Sequence, residues 1–340
     1  MKKCNYCNTE KSSLRRPKTG KLCCIKCFIK YFEEEIHETI ISYKFFNRGE
    51  TVAIGISGGK DSTVLAHVIN KLNISKDYGI NIKLIAIDEG IKGYRDGSIE
   101  TIEHNAKALN LPLLILSFKD LFGLTMDEIV PKCGISNSCT YCGVFRRQAL
   151  DKGAEMVKAT KLITGHNADD IAETVLMNFL RGDFNRLPQS VDPFGGGDIP
   201  RIKPFKYTYE KEIVMYAHYC KLEYFCAECT YAVGAYRGNV RSLIKDLELD
   251  RPQNLIDIIH SGEYFKIEEK VKQRDLLKCT NCGHVCSNQK CKACLLLEKL
   301  NKENNINKPL GKEINYKEMN NPEWIIYLLL KFILFVNILQ

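Results

Sequence analysis

At 340 residues the chain is too long for one small domain and suits one large α/β domain with small appendages. Apolar residues at 45% and charged residues at 26% are ordinary globular values, which excludes a disordered chain and a polytopic membrane protein. Lys and Arg number 49 against 41 Asp and Glu, and the resulting +8 suits a polyanionic partner without identifying one.

The first 47 residues carry Cys4/Cys7 and Cys24/Cys27, followed by a charged, helix-favouring stretch from Lys30 to Tyr43. This reads as a zinc ribbon with a linker helix. From Thr51 short apolar runs alternate with amphipathic segments. Thr51–Ile56, Ile82–Ile87, Leu113–Phe118 and Leu162–Thr164 read as buried strands, with helices near Ser62–Leu72, Ser98–Leu109, Gly143–Ala159 and Ile171–Leu180. Such alternation predicts parallel β-α-β units with ligands at the carboxyl ends of the strands, in a domain over 48–265. Asp183–Pro204, rich in Gly and Pro, reads as a loop over one edge of the site. Helical patterns resume at Tyr209–Leu222 and Arg237–Leu247, and a second cysteine cluster falls within 266–300. The tail, 301–340, begins with an Asn/Lys-rich connector. It ends in an apolar run, Trp324–Leu339, that contains Lys331 and is shorter than the roughly 20 residues of a membrane span, so no membrane association is expected.

Ser57-Gly58-Gly59-Lys60-Asp61-Ser62 follows the first strand and opens a helix, the context of a phosphate-binding loop. The glycines let backbone approach an anion, and helix-start amides, Lys60 and the hydroxyls of Ser57 and Ser62 supply donors. Asp61 suits Mg²⁺ between phosphate oxygens of ATP. Asp88 and Glu89 end the second strand, and Gly165-His166-Asn167-Ala168-Asp169-Asp170 follows the fourth. The adjacent carboxylates Asp169 and Asp170 beside a polyphosphate need a metal or cation, although a helix cap would also account for Asp169.

Repeated CxxC pairs in a chain with no secretory signal at its start point to metal in a reducing compartment, and Cys4 lies so near the start that a cleavable leader is not expected, leaving the cytoplasm. Cys4, Cys7, Cys24 and Cys27, with sixteen residues between pairs, and Cys279, Cys282, Cys291 and Cys294, with eight, each fit a closed, structural Zn²⁺ site. Cys23 and Cys286 fall outside that spacing. Cys139 and Cys142 form a CxxC pair without a second pair nearby, and Cys229 could add a third thiolate in space. Spacing alone leaves these three as metal ligands or as core cysteines.

The order zinc ribbon, SGGKDS, Cys139-x2-Cys142-Gly143-Val144-x-Arg146-Arg147, GHNADD, Cys229, zinc ribbon resembles the TtcA/TtuA group of tRNA thiolases. Within it, Cys142–Ala149, Gly165–Gly182 and Cys291–Glu298 resemble the catalytic subunits of the eukaryotic cytosolic tRNA 2-thiolation complex. The resemblance implies a PP-loop ATP pyrophosphatase fold (adenine nucleotide alpha hydrolase-like) and ATP-dependent thiolation of the wobble uridine in tRNAs for Lys, Glu and Gln. It further implies a ubiquitin-like thiocarboxylate carrier as sulfur donor, a second, non-catalytic subunit, and a 4Fe-4S cluster on Cys139, Cys142 and Cys229. Arg146 and the Asp169 and Asp170 pair would line the active site. Arg237, Arg241 and Lys245 are candidate contacts to the tRNA backbone. Four alternatives remain: thiolation of another tRNA uridine, a persulfide on Cys139 or Cys229 in place of a cluster, a non-catalytic RNA-binding scaffold, and a PP-loop ligase joining an amine to an activated carbonyl.

Overall fold

The computed structural model describes residues 2–196, 199–227, 229–231, 236–264 and 277–303. An antiparallel pair of short strands, β1 (Leu14–Arg15) and β2 (Leu22–Cys23), leads into α1 (Ile25–Ser42). The β-α alternation follows: β3 (Thr51–Gly55), α2 (Lys60–Ser75), β4 (Asn81–Asp88), α3 (Arg95–Leu109) and β5 (Leu113–Ser117). Helices α4 (Phe118–Phe122), α5 (Met126–Cys133) and α6 (Ile135–Met156) precede β6 (Lys161–Ile163) and α7 (Ala168–Leu180). Then come a 3₁₀ turn, α8 (Leu187–Val191), β7 (Phe194–Gly195), β8 (Arg201–Ile202), α9 (Glu210–Tyr219), α10 (Tyr236–Asp250) and α11 (Asn254–Tyr264). The described part closes with β9 (Leu277–Lys278), antiparallel to β10 (Val285–Cys286), and α12 (Lys292–Glu303).

The central sheet has the order β5-β4-β3-β6-β8-β7, parallel throughout except for β7 on β8. Because successive strand side chains point to opposite faces, each central strand feeds two cores. Val52 and Ile54 of β3, Leu84 and Ala86 of β4, and Ile163 of β6 join the cluster that holds Phe28, Phe32, Ile36 and the buried Cys4, Cys23 and Cys24. Ala53, Ile85, Ile87 and Leu162 face the other way, toward Phe145 and Ala149 of α6 and toward Cys279, Cys291 and Cys294. The two cysteine clusters thus cover opposite faces of one sheet.

Two expectations are corrected. The Gly/Pro-rich stretch 183–204 is not a plain loop: it supplies α8 and the last two strands of the sheet, β8 and the edge strand β7, which are too short to show a period in sequence. Gly197 and Asp198 within it lie outside the described residues. Helix α6 begins at Ile135 rather than Gly143, so Cys139 and Cys142 are helical. Gly143 is tolerated mid-helix on an exposed face, while buried Ser138 and Tyr141 anchor the preceding turn.

Residues 1–301 form one compact unit, and a second unit, 302–340, lies almost wholly outside the described residues, as do the expected connector and apolar tail. Among the described residues no helix is long and apolar enough to cross a membrane.

The amino-terminal ribbon is fixed to the domain by a buried charge cluster. Arg16, 1% exposed, donates from Nε and Nη2 to both oxygens of Glu212 on α9, at 3.1 and 2.9 Å, and from Nη1 to Glu35 on α1 at 2.6 Å. Removing one member of a buried pair strands the other's charge. R16M should therefore lower unfolding free energy by about 3 kcal/mol in urea titration, more than a surface arginine replacement would.

Candidate functional site

The phosphate loop stands at the carboxyl end of β3, and two glycines make its path possible. Gly58 has φ +81°, and a Cβ there would meet the Ser98 carbonyl oxygen at 2.8 Å. Gly165, after β6, lies so close that a Cβ would come within 3.2 Å of the Asp61 carbonyl carbon. Gly59 is the N-cap of α2, leaving the first-turn amides of the helix aimed at the loop's mouth. The Ser62 hydroxyl, expected as a phosphate donor, is turned inward: it accepts from the Ser57 amide and donates to the Gly59 carbonyl, both at 3.1 Å. Its role is to hold the turn.

Asn167 caps α7 in a reciprocal box with Asp170 and also donates from Nδ2 to Asp61 Oδ1 at 3.1 Å. This joins the loop after β6 to the phosphate loop. Burial pushes the Asp61 carboxyl up against the pull of Lys60, and the Asp170 charge pushes it further. Burial likewise raises Asp170 despite Arg237. Two carboxyls so placed fit a divalent cation, which would relieve both. Asp88 ends β4 and uses Oδ1 to accept the Gly90 amide at 2.8 Å, holding the turn beyond the strand.

Helix α10 behaves differently from the expectation of a free basic face. Arg237 pairs with Asp170 at 2.8 Å and with Glu173, Arg241 pairs with Glu173 at 2.7 Å, and Lys245 pairs with Asp169 at 2.6 Å. These three cations neutralise the acidic start of α7 while remaining partly exposed. Asp169 is accordingly no cap; it accepts from Lys245 and from the Glu210 amide. Glu210, not singled out from sequence, bridges Lys60 at 2.8 Å and Lys245 at 2.9 Å.

The third group of residues surrounds Cys142. Arg146, one turn along α6, donates from Nη2 to Cys142 Sγ at 3.2 Å and pairs through Nε with Glu89 at 2.7 Å. Burial pushes the Cys142 thiol up to about 11, opposed by Arg146 and reinforced by Glu89, Cys229 and Cys139. Ser138 on α6 donates to the Tyr231 carbonyl at 3.4 Å, and Tyr231 donates to Asp127 at 2.8 Å, which brings the segment carrying Cys229 against α6. Cys139 is exposed, and Cys142 and Cys229 are partly exposed.

At the two ribbons the donor sets are tighter. The sulfurs of Cys4, Cys7, Cys24 and Cys27 lie within 4.8 Å of one another, as do those of Cys279, Cys282, Cys291 and Cys294. Amide N–H groups of Tyr6 and Cys291 point at Cys4 Sγ and Cys279 Sγ, and Gln148 Nε2 and Asn281 Nδ2 at Cys282 Sγ and Cys294 Sγ, between 3.2 and 3.4 Å. Such donors suit thiolates on a metal, and four of them close a single-ion sphere. Cys23 and Cys286 stand outside these groups. Among the described residues, Cys139, Cys142 and Cys229 do not gather to that spacing.

A parallel sheet with a Ser-Gly-Gly-Lys-Asp-Ser loop at its carboxyl edge defines an ATP-binding protein of the PP-loop class, and residues 30–247 match the PP-loop domain family. The chain is 57% identical over 302 residues to cytoplasmic tRNA 2-thiolation protein 1 of Dictyostelium discoideum, covering 88% of this chain and 84% of that one. It is 56% identical to the Arabidopsis thaliana protein of the same name, covering 88% and 85%. The U34-tRNA thiolase NcsA from Methanococcus maripaludis, solved with its 4Fe-4S cluster, superposes with TM-score 0.75 at 28% identity over 92% of this chain and 99% of that one. The chain belongs to the cytoplasmic tRNA 2-thiolation protein 1 family.

Burial alone would raise the Glu210 carboxyl, but hydrogen bonds and charge contacts with Lys60 and Lys245 outweigh it and hold it at about 2. A carboxyl depressed by folding contributes stability that is complete above its ordinary value near 4.5 and is lost as pH falls toward 2. The urea-midpoint difference between wild type and E210Q should be largest above that ordinary value and shrink below it. A difference unchanged with pH would show that the bridge is not populated in solution.

Proposed function

We propose that this tRNA sulfurtransferase activates the C2 carbonyl of the wobble uridine with ATP and replaces its oxygen with sulfur, in tRNAs for Lys, Glu and Gln. The observation that carries this reading is an ATP-binding loop whose Ser57 carbonyl is connected, through Arg95, Glu89 and Arg146, to Cys142 of the expected triad. A scaffold that only binds RNA has no use for either, and a ligase acting on an amine has none for the triad. Membership of a family named for tRNA 2-thiolation, and likeness to a U34-tRNA thiolase, support the same substrate.

A carbonyl oxygen on uridine leaves poorly, so it must first become a phosphate ester. The Ser57–Ser62 loop would grip the β and γ phosphates with helix-start amides and Lys60, leaving the α-phosphorus open to the uridine oxygen. Displacement of Glu210 by phosphate would free Lys60 for that contact. Mg²⁺ held near Asp61 and Asp170 would offset charge on the leaving pyrophosphate. Sulfur then attacks C2, the C2–O bond breaks, and AMP departs with the former carbonyl oxygen. A 4Fe-4S cluster on Cys139, Cys142 and Cys229 would supply an iron without a protein ligand, open to exogenous sulfide, a chemistry that fits three thiolates and not four. The sulfur source in this reading is the thiocarboxylate of a ubiquitin-like carrier, and a second, non-catalytic subunit is the partner. Zn²⁺ in the two ribbons is structural, and the cytoplasm is the location.

Serine oxygen is a poor substitute for thiolate on iron. Single Cys139→Ser, Cys142→Ser and Cys229→Ser proteins, purified without oxygen, should therefore lose cluster absorbance and thiolation together while still adenylating tRNA. Iron-free C142S that still thiolates would replace the cluster with a persulfide on one of the outer cysteines.

A further inference from the structure

Neither the phosphate loop nor the triad accounts for Glu89. Its carboxylate is 5% exposed and lies between two guanidiniums, Arg146 Nε at 2.7 Å on one oxygen and Arg95 Nε at 3.2 Å on the other. A buried carboxylate is costly unless cations compensate it; the Arg95 contact does so by charge alone, since Glu89 Oε2 and Arg95 Nε make no hydrogen bond. On one side, Arg146 shares its fork between Glu89 and Cys142 Sγ, which makes Glu89 the group that sets where that fork points. On the other, Arg95 donates from Nη1 to the Ser57 carbonyl at 3.2 Å and to Ser98 Oγ at 2.9 Å. Ser98 in turn supplies the carbonyl packed against Gly58. A continuous chain of polar contacts therefore runs from Cys142 through Arg146, Glu89 and Arg95 to the backbone of the phosphate loop.

The other arm of the triad is tied to the neighbouring residue of the same loop. The Phe225 amide donates to the Gly58 carbonyl at 2.8 Å, and the Phe225 ring lies edge-on to Tyr94 with centroids 5.7 Å apart. Cys229 follows four residues later. Any movement of the Ser57 and Gly58 carbonyls would be felt along contacts that lead toward Cys142 and toward the segment carrying Cys229.

We propose that Glu89 and Arg95 are positioning residues that couple occupancy of the ATP-binding loop to the geometry of the cysteine triad, by turning Arg146 against Cys142. The inference rests on the thiolase reading above. Its consequence is ordered chemistry: the sulfur site takes its reactive arrangement only when the nucleotide is in place, which protects bound sulfur from idle transfer.

The test uses full-length, anaerobically reconstituted protein and the electron paramagnetic resonance spectrum of the reduced cluster, with and without α,β-methylene ATP. In wild type the spectrum should shift on binding the analogue. E89Q should hold iron as wild type does and bind the analogue with affinity within about threefold, yet lose the shift. Its kcat for thiolation should fall by about tenfold or more with KM for ATP little changed, the size expected when a coupling contact is removed. E89D, which keeps the charge, should recover part of both. If E89Q melts well below wild type, R95K makes the same comparison, because it retains the charge beside Glu89 and loses the forked contact to Ser57. A wild-type spectrum indifferent to the analogue, or a folded E89Q or R95K that shifts and turns over as wild type does, overturns the proposal. Wild-type protein that binds no iron or thiolates no tRNA would instead overturn the reading on which it rests.

Discussion

Carboxylates crowd the carboxyl ends of the strands in this protein, and their mutual repulsion is the constraint that the surrounding structure answers. Asp61, Glu89, Asp169, Asp170, Glu173 and Glu210 come from four separate segments, and all are buried or half-buried. Left unpaired, such groups would take up protons or push the segments apart. Lys60, Arg95, Arg146, Arg237, Arg241 and Lys245 neutralise them in overlapping pairs, so each cation fixes more than one element. The same charges that make the site able to hold a metal and a polyphosphate also hold α7, α9 and α10 around it.

This arrangement gives the free protein an internal stand-in for its substrate. Lys60, the cation suited to ATP phosphates, is paired with Glu210 and Asp61, at 2.8 and 3.3 Å. On the proposed reading, nucleotide would exchange one anion for another at Lys60, and Lys245, which also pairs with Glu210, would still hold that carboxylate. Arg146 reaches between Glu89 and Cys142, so the proposed sulfur site is connected to the strand end beside the loop.

The parts legible in the sequence are those whose signal is contiguous. Ser57–Ser62 carries strand, turn and helix start in one run, and the ribbon cysteines carry their ligand spacing. The parts that were not legible depend on partners far away in sequence. Arg237, Arg241 and Lys245 look like a solvated basic face because the acids opposite them lie about 70 residues earlier, on α7. Glu89 and Glu210 look like ordinary strand-end and helix-start acids, and only the packed structure reveals that each bridges two cations. The helix through Cys139 and Cys142 was masked by Gly143, whose low propensity is overridden by burial of Ser138, Tyr141 and Phe145 along the same helix. Strands β7 and β8, two residues each, carry no period to be read.

The central claim is that one uridine oxygen is first bound to phosphorus and then displaced by sulfur. It is tested most directly by following that atom. Substrate tRNA carrying ¹⁸O at C2 of the target uridine, turned over anaerobically with ATP and a sulfide source, should yield AMP with the label in its phosphate in step with thiouridine formation. Unlabelled AMP, with the ¹⁸O recovered in water, would mean that sulfur replaces the oxygen without adenylation of the carbonyl, and would contradict the account.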